Sequence, residues 1–225
     1  MKLVYNPIDA VLTFEETTVY LVILESPTLM RQFIEDLDMQ LSLDAGSFVL
    51  SEKQKTLQLS RYAEFIFNPI SVEINQKRLL SKVYQQIEKN AVGEEMYLRT
   101  QEVRQSIHAY MQDLMMTVDC PLDYNLDFSV GKLLSPIGVQ FAAEGTALSR
   151  LVQYIDLCNQ LLGIEVVFIY QMSSLFTREE IILFCEDMAY RKIAIVFIEA
   201  SLPESVTYNK ILIVDNDLCI VRWED

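Results

Sequence analysis

Residues Ile164 to Ala200 read IEVVFIYQMSSLFTREEIILFCEDMAYRKIAIVFIEA. Two apolar runs, Val166 to Tyr170 and Ile193 to Ile198, are rich in Val and Ile. Neither alternates with polar residues, which suits strands of a sheet covered on both faces. Between them Thr177 stands ahead of Glu179, Glu180 and an apolar series at helical spacing: Ile181, Ile182, Phe184, Cys185 and Met188. Thr177 is placed to cap that helix, with Glu180 as the reciprocal partner three residues on. A helix of about ten residues with two short connections is near the minimum crossover for a parallel pair. The stretch therefore predicts a βαβ unit inside an α/β core.

Working outward, residues 2–5 and 17–24 read as strands, with 10–14 as a short ribbon partner and Asn6-Pro7 as a break. Ser26-Pro27 supplies a cap and a first-turn proline for a helix to about Gln40, with Leu29, Met30, Phe33, Ile34 and Leu37 on one stripe. Phe48 and Leu50, then Leu57, Leu59 and the run Tyr62 to Phe67, predict further strands, and Lys53 and Lys55 fall in an exposed connection. On the other side Gly145-Thr146 opens a helix to about Leu162. After Pro203 two strands, Lys210 to Val214 and Leu218 to Val221, are joined by Asp215-Asn216-Asp217, a turn whose carboxylates can also hold an ion weakly.

The middle of the chain changes period. From about Val72 to Asn90 a helix places Leu79, Leu80, Val83, Tyr84 and Ile87 on one side. A second, from Gly93 to about Val118, carries Met96, Tyr97, Val103, Ile107, Tyr110, Met111 and Leu114. The two form an αα-hairpin whose apolar stripe needs a third helix or a partner subunit against it. Tyr124 to Phe128 reads as a short strand, and Val130 to Leu134 as a turn or two of helix stopped by Ser135-Pro136. The predicted organisation is an α/β head, residues 1–71 and 138–225, interrupted by a helical arm, residues 72–137.

The chain has 225 residues, 51% of them hydrophobic, enough for a full core with one sizeable insertion. Its net charge of -14 argues against nucleic acid over the whole surface, so the distribution matters more than the sum. Residues 1–76 balance at -6 and residues 105–225 at -10, whereas 77–104 balance at +2. Arg78, Lys82 and Lys89 recur at helical spacing with Lys77 beside them. With Lys53 and Lys55 they can meet phosphates by charge, or they are simply a solvated face. No aromatics alternate with these cations, so a duplex held by its backbone fits better than stacked single strands. Cys120, Cys158, Cys185 and Cys219 are too widely spaced for a metal site and read as reduced core residues of a cytoplasmic protein. The chain has no apolar run of membrane-spanning length, and Met-Lys-Leu-Val-Tyr at its start lacks the core of a signal peptide.

Catalytic sets are missing. Val130-Gly131-Lys132 lacks the earlier glycine and the following hydroxyl of a phosphate loop, since 126 and 133 are both leucine. Glu199 ends an apolar strand and reads as a solvated glutamate with nothing to complete. His108 is the only histidine, which excludes paired-histidine metal sites and Ser-His-Asp or Cys-His sets within one chain. Asp119, Asp123 and Asp127, spaced by four around a proline, are either a solvated acidic linker or oxygen ligands for a hard cation such as Ca²⁺.

In order and total length the chain resembles the small accessory protein family of type II-A CRISPR loci, over residues 1 to about 221. Lys53-Gln54-Lys55-Thr56-Leu57 looks like that family's KxKTI stretch, and Asn75 like its Asn-Ser turn. Leu133 to Val139, Val166 to Ile169 followed by Leu175 to Glu180, Val196 to Glu199, and Asp215 to Asp217 are similar to its later segments in the same order. Two places differ: Leu161-Leu162-Gly163 stands where members often carry lysines, and Gly131-Lys132 where they are more acidic. The resemblance implies a nucleotide-hydrolase-like α/β head lacking a phosphate-binding loop, with an inserted long helical arm and no catalytic activity. It further implies a homotetrameric ring that takes the ends of linear double-stranded DNA during spacer acquisition, supported by Ca²⁺ in the stretch that holds Asp119, Asp123 and Asp127. The implied partners are other copies of the chain, duplex DNA, the CRISPR adaptation integrase and the effector nuclease. A protein-only scaffold and a diverged nucleotide hydrolase are the alternative readings.

Overall fold

The computed structural model describes residues 1–15, 17–125, 129–143, 145–203 and 208–224. The elements are β1 (Lys2–Tyr5), β2 (Ala10–Thr13), β3 (Val19–Leu24), α1 (Pro27–Leu43), β4 (Phe48–Glu52), β5 (Lys55–Leu57), β6 (Ala63–Ile66), α2 (Lys77–Ala91), α3 (Tyr97–Met115) and α4 (Val130–Ile137). Then come α5 (Ala147–Leu162), β7 (Val166–Tyr170), α6 (Arg178–Tyr190), β8 (Ala194–Glu199), β9 (Lys210–Val214) and β10 (Ile220–Glu224). They fall into two compact units: Met1–Ile74 with Ala143–Asp225, and Asn75–Ala142.

The first unit is a mixed α/β body. Its larger sheet has the order β10-β9-β3-β8-β7-β6, parallel except for β10. The β7-α6-β8 stretch is the predicted crossover unit, with Phe168 opposite Val196 in parallel register. Thr177 and Glu180 form the reciprocal capping box at the start of α6. Every residue of β3 and β8 is buried, the physical meaning of their unbroken apolar runs. Alternate residues serve opposite faces. Tyr20, Val22, Leu24, Val196 and Ile198 join one core with Phe33 of α1 and with Leu3, Leu12, Phe48 and Leu50 from a smaller antiparallel sheet, β2-β1-β4-β5. On the opposite face the Phe197 ring lies 6.3 Å from Phe184 of α6, and α5 packs beside α6. Each such fully buried large apolar side chain contributes about 1.5–3 kcal/mol.

Several expectations are revised in this unit, and of the four cysteines expected in the core only Cys158 is buried, Cys120 and Cys219 being exposed. Lys55 opens β5, opposite Glu52, rather than lying in the connection. The last strand starts at Ile220 because Leu218 adopts φ 63 inside the turn. The Asp215 carboxylate is engaged in that turn, accepting from the Asp217 and Cys219 N–H groups at 2.9 and 2.8 Å. Glu199 is the largest departure. It is 3% exposed, and accepts from Ser173 N at 2.9 Å and Ser173 Oγ at 2.7 Å. Burial holds its carboxyl above the usual carboxylate range, against the lowering effect of the Ser173 and Met172 hydrogen bonds.

The second unit is the helical insertion. Asn75 closes its neck: the side chain donates to Phe141 O at 3.2 Å and accepts from Phe141 N at 2.8 Å. That clasp, with Gln76 in an extended conformation, starts α2 at Lys77 rather than Val72. The hairpin closes where buried Thr100 of α3 donates to Ala91 O at 2.7 Å, one of the carbonyls the end of α2 would leave unpaired. The third helix is α4, packed on α2. Gly131 sits against α2, donating its N–H to Glu88, and a Cβ there would meet Glu88 Oε2 at 3.0 Å and Tyr84 O at 3.5 Å. Tyr84 in turn donates to Val139 O at 2.5 Å.

Ser129 caps α4, and the helix runs through Pro136 to an αL stop at Gly138, contrary to the expected stop at Ser135-Pro136. In a helix of eight residues the proline sits in the last turn, where it removes little more than its own bond. α3 spans Tyr97–Met115 instead of Gly93 to Val118, and Tyr124 and Asn125 form no strand. Residues 126–128 of the expected strand lie outside the described residues.

Candidate nucleic-acid interface

The apolar side of α2 is Leu79, which is fully buried, with Leu80, Val83, Tyr84 and Ile87 half-buried around it. At 3.6 residues per turn, Arg78, Lys82 and Lys89 then share an arc of roughly 40° on the other side. Gln85 and Gln86 flank them, and all five are exposed. Glu88, the one acid of α2, is turned toward α4 by its bond to Gly131. The arc therefore carries cations and amide donors with no carboxylate among them. From Arg78 to Lys89 it is about 16 Å long, at 1.5 Å rise per residue.

This stripe works against the helix that carries it. Lys77 and Arg78 occupy the first turn, where the helix dipole disfavours cations, and Arg78 and Lys82 are like charges four residues apart. Each effect costs a few tenths of a kcal/mol, so helix formation alone gives no reason for the pattern. Lys77 lies about 100° from Arg78 and is off the arc. Arg78 Nε donates to Gln76 Oε1 at 2.8 Å, which orients the guanidinium near the neck.

Lys53 and Lys55 belong to the other unit, on the β4-β5 hairpin. Lys53 and Gln54 have φ of 47 and 66, so this two-residue turn holds both central residues left-handed. Asn or Gly is the usual choice there, and a lysine and a glutamine cost roughly 1 kcal/mol each in backbone strain. Lys53 is thrust outward at the tip, while Lys55 faces the partly compensating Glu52.

Among the described residues no three His, Cys, Asp or Glu side chains gather as metal ligands. Asp119 and Asp123 are both exposed, and Asp123 Oδ1 accepts from Tyr124 N at 2.8 Å. Asp127 lies outside the described residues. His108 is half-buried, with its ring 5.8 Å from that of Tyr124. Gln85 and Gln86 were missed by the sequence reading, although their offsets of three and four from Lys82 place them beside the cations. No helix among the described residues is long and apolar enough to cross a membrane.

A family model described as CRISPR-associated protein (Cas_Csn2) matches residues 40–218. No curated protein matches the chain. Among solved structures, a metal-chelate type ABC transporter in an inward-facing conformation is similar over 99% of this chain and 80% of its own, at 11% identity and a TM-score of 0.44, too low to carry an argument.

Proposed function

We infer the working arrangement of this protein from one premise: the chain belongs to the CRISPR-associated protein (Cas_Csn2) family, whose members bind the ends of double-stranded DNA without catalysis during spacer acquisition. The protein is accordingly a non-enzymatic, sequence-independent DNA-binding factor of CRISPR adaptation. The residues proposed to do the binding are Arg78, Lys82 and Lys89, with Lys77 at the helix start and Lys53 and Lys55 on the head hairpin. The observation that carries this reading is the acid-free arc of α2 on a chain of net charge -14. Three exposed cations on one face of the helix can reach successive phosphates. Such contacts are to the backbone of DNA, so they position the duplex and leave its sequence unread.

The assembly proposed is a homotetrameric ring. What supports it is the surface of α3, where Tyr97, Leu98, Val103, Tyr110 and Leu114 are all exposed, Leu98 by 74%. The α4 helix covers α2, whereas these residues would need another copy of the chain to cover them. The head is read as lacking a phosphate-binding loop, since Glu25-Ser26 alone connects β3 to Pro27 of α1. The adaptation integrase and the effector nuclease are the protein partners proposed. Ca²⁺ is proposed at Asp119, Asp123 and Asp127, an all-oxygen donor set of the kind that ion prefers. Two exposed aspartates do not by themselves make a Ca²⁺ site, so a complete one requires Asp127 and further oxygens.

The test is a salt titration of binding to linear duplex and to a closed circle of the same sequence, with Ca²⁺ and with chelator. Linear duplex should be preferred, and chelation should reduce that preference. Substituting R78E with K82E should flatten the slope of log affinity against log salt by about two units, at roughly 0.9 for each phosphate no longer neutralised. Unchanged binding would remove the α2 arc from the interface.

A further inference from the structure

The carboxyl ends of the parallel strands open on a cavity of about 530 Å³ in the first unit. Open α/β sheets bind ligands at this edge, in the crevice where strand order reverses. Here Leu24 and Tyr170, the last residues of β3 and β7, and Ala200, just after β8, line the opening. The DNA-binding reading leaves it without a task.

Its lining has an unusual composition. Met30 and Ile34 of α1 give an apolar floor. Phe67, just beyond β6, and Tyr170, the last residue of β7, stack in parallel with ring centroids 4.9 Å apart and planes within 4°. Phe67 is 58% exposed, so much of its ring surface is left in water. Glu25 and Glu35 bring carboxylates to the same cavity, against one cation, Arg31. Asn216 Nδ2 donates to Glu25 Oε2 at 3.4 Å, linking this edge to the β9-β10 turn. Gln171 also lines the cavity in a left-handed conformation, φ 48, which is costly for a glutamine.

A phosphate-bearing ligand is disfavoured. The two-residue passage from β3 into α1 starts with Glu25, and Pro27 lacks the N–H a cradle would use. DNA is disfavoured by the same carboxylates. A cation is favoured, and the stacked rings select a flat one. Guanidinium is planar, stacks on aromatic faces and is more weakly hydrated than ammonium, while its stem can lie along the Met30 and Ile34 floor.

We propose that this crevice receives an arginine side chain from a segment of a partner protein, with guanidinium stacked on the Phe67–Tyr170 pair and paired to Glu35. Glu25 adds to the negative potential of the same lining. This site lies on the head and uses none of the cations assigned to DNA, so the protein can hold a duplex and a partner at separate places.

The probes are acetyl-Gly-Arg-Gly-amide and the same peptide with lysine or citrulline, titrated into the full-length protein while backbone amide signals are followed. The arginine peptide should shift signals of Tyr170, Gln171 and Ala200. The lysine peptide should bind at least about threefold more weakly, and citrulline, which keeps the shape but loses the charge, should bind weakest. F67A and E35Q should each weaken the arginine peptide about threefold or more while leaving the melting temperature and linear-duplex binding unchanged, since both side chains are exposed. Equal binding of the three peptides, absence of shifts at these amides, or indifference to F67A would overturn the proposal. ATP shifting these amides in place of the arginine peptide would overturn it in favour of a nucleotide site.

Discussion

The two units of this chain solve the problem of apolar surface in opposite ways. In the head, β3 and β8 are buried along their whole length, and α1, α6 and the small antiparallel sheet supply the cover. In the insertion, the described residues of α2 and α3 that are buried are only Leu79, Ala91 and Thr100, while Leu98 and Tyr110 face solvent. Strands of a central parallel sheet must be sandwiched to satisfy both backbone and side chains, so the head closes on itself. A three-helix insertion has satisfied its backbone already, and its apolar side chains can wait for another molecule. The comparison teaches that apolar burial is concentrated in the head, while the arm leaves much of its apolar surface exposed.

The largest effect that would sharpen this contrast is a core truncation. Phe168→Ala should destabilise the protein by about 3–5 kcal/mol in a urea melt. Leu98→Ala should move the same midpoint by no more than about 0.5 kcal/mol in the dissociated chain, since the side chain is 74% exposed. For the proposed ring, sedimentation should show self-association of the unsubstituted chain and its loss in the Leu98→Asp variant. A large stability loss from Leu98→Ala would mean that the arm has a core of its own.

A smaller effect concerns the buried acid of the head. Glu199 has its folded-state pKa raised, so the folded protein keeps that proton at a pH where the unfolded chain has released it. Its contribution to stability is therefore full below the unfolded carboxylate pKa and is lost as pH rises toward the folded value. Glu199→Gln, which can keep both Ser173 contacts, should remove this acid-to-neutral decline from the pH profile of the melt. Glu199→Ala should instead cost about 1–3 kcal/mol, because Ser173 N loses its acceptor at a partly buried position. A profile unchanged by Glu199→Gln would show that the carboxyl is not the titrating group.

The smallest effect lies in the helix packing of the arm. Gly131→Ala pushes its Cβ to 3.0 Å from Glu88 Oε2, the far end of a flexible side chain, so a cost of about 1 kcal/mol or less is expected. The loss should be reduced when Glu88 is also shortened to Ala. A larger loss that persists without the Glu88 side chain would place the constraint on the Tyr84 carbonyl instead.

The elements legible in the sequence are those where one local signal dominates. The Thr177–Glu180 box, the Ser26-Pro27 start and the helix from Gly145-Thr146 to about Leu162 are each written in a few adjacent residues, and all three are where they were expected. The start of α2 was not legible, because it is set by a side chain reaching Phe141, far along the chain. Nor was the survival of α4 past Pro136, which depends on where the helix ends. Of the candidate site, the alignment of Arg78, Lys82 and Lys89 followed from spacing alone. That Glu88 turns away and leaves the arc free of acid did not, since it depends on the approach of Gly131.

The sequence by itself determined the α/β class, the crossover around Val166–Ile198, the interruption by helices and the lack of a catalytic set, because period, capping residues and residue types are local properties. The order of six strands, the burial of Glu199 and the meeting of Phe67 with Tyr170 were decided only by tertiary structure. Each depends on which distant strand lies alongside, and the pairing of a parallel strand is chosen by the whole sheet rather than by its own residues.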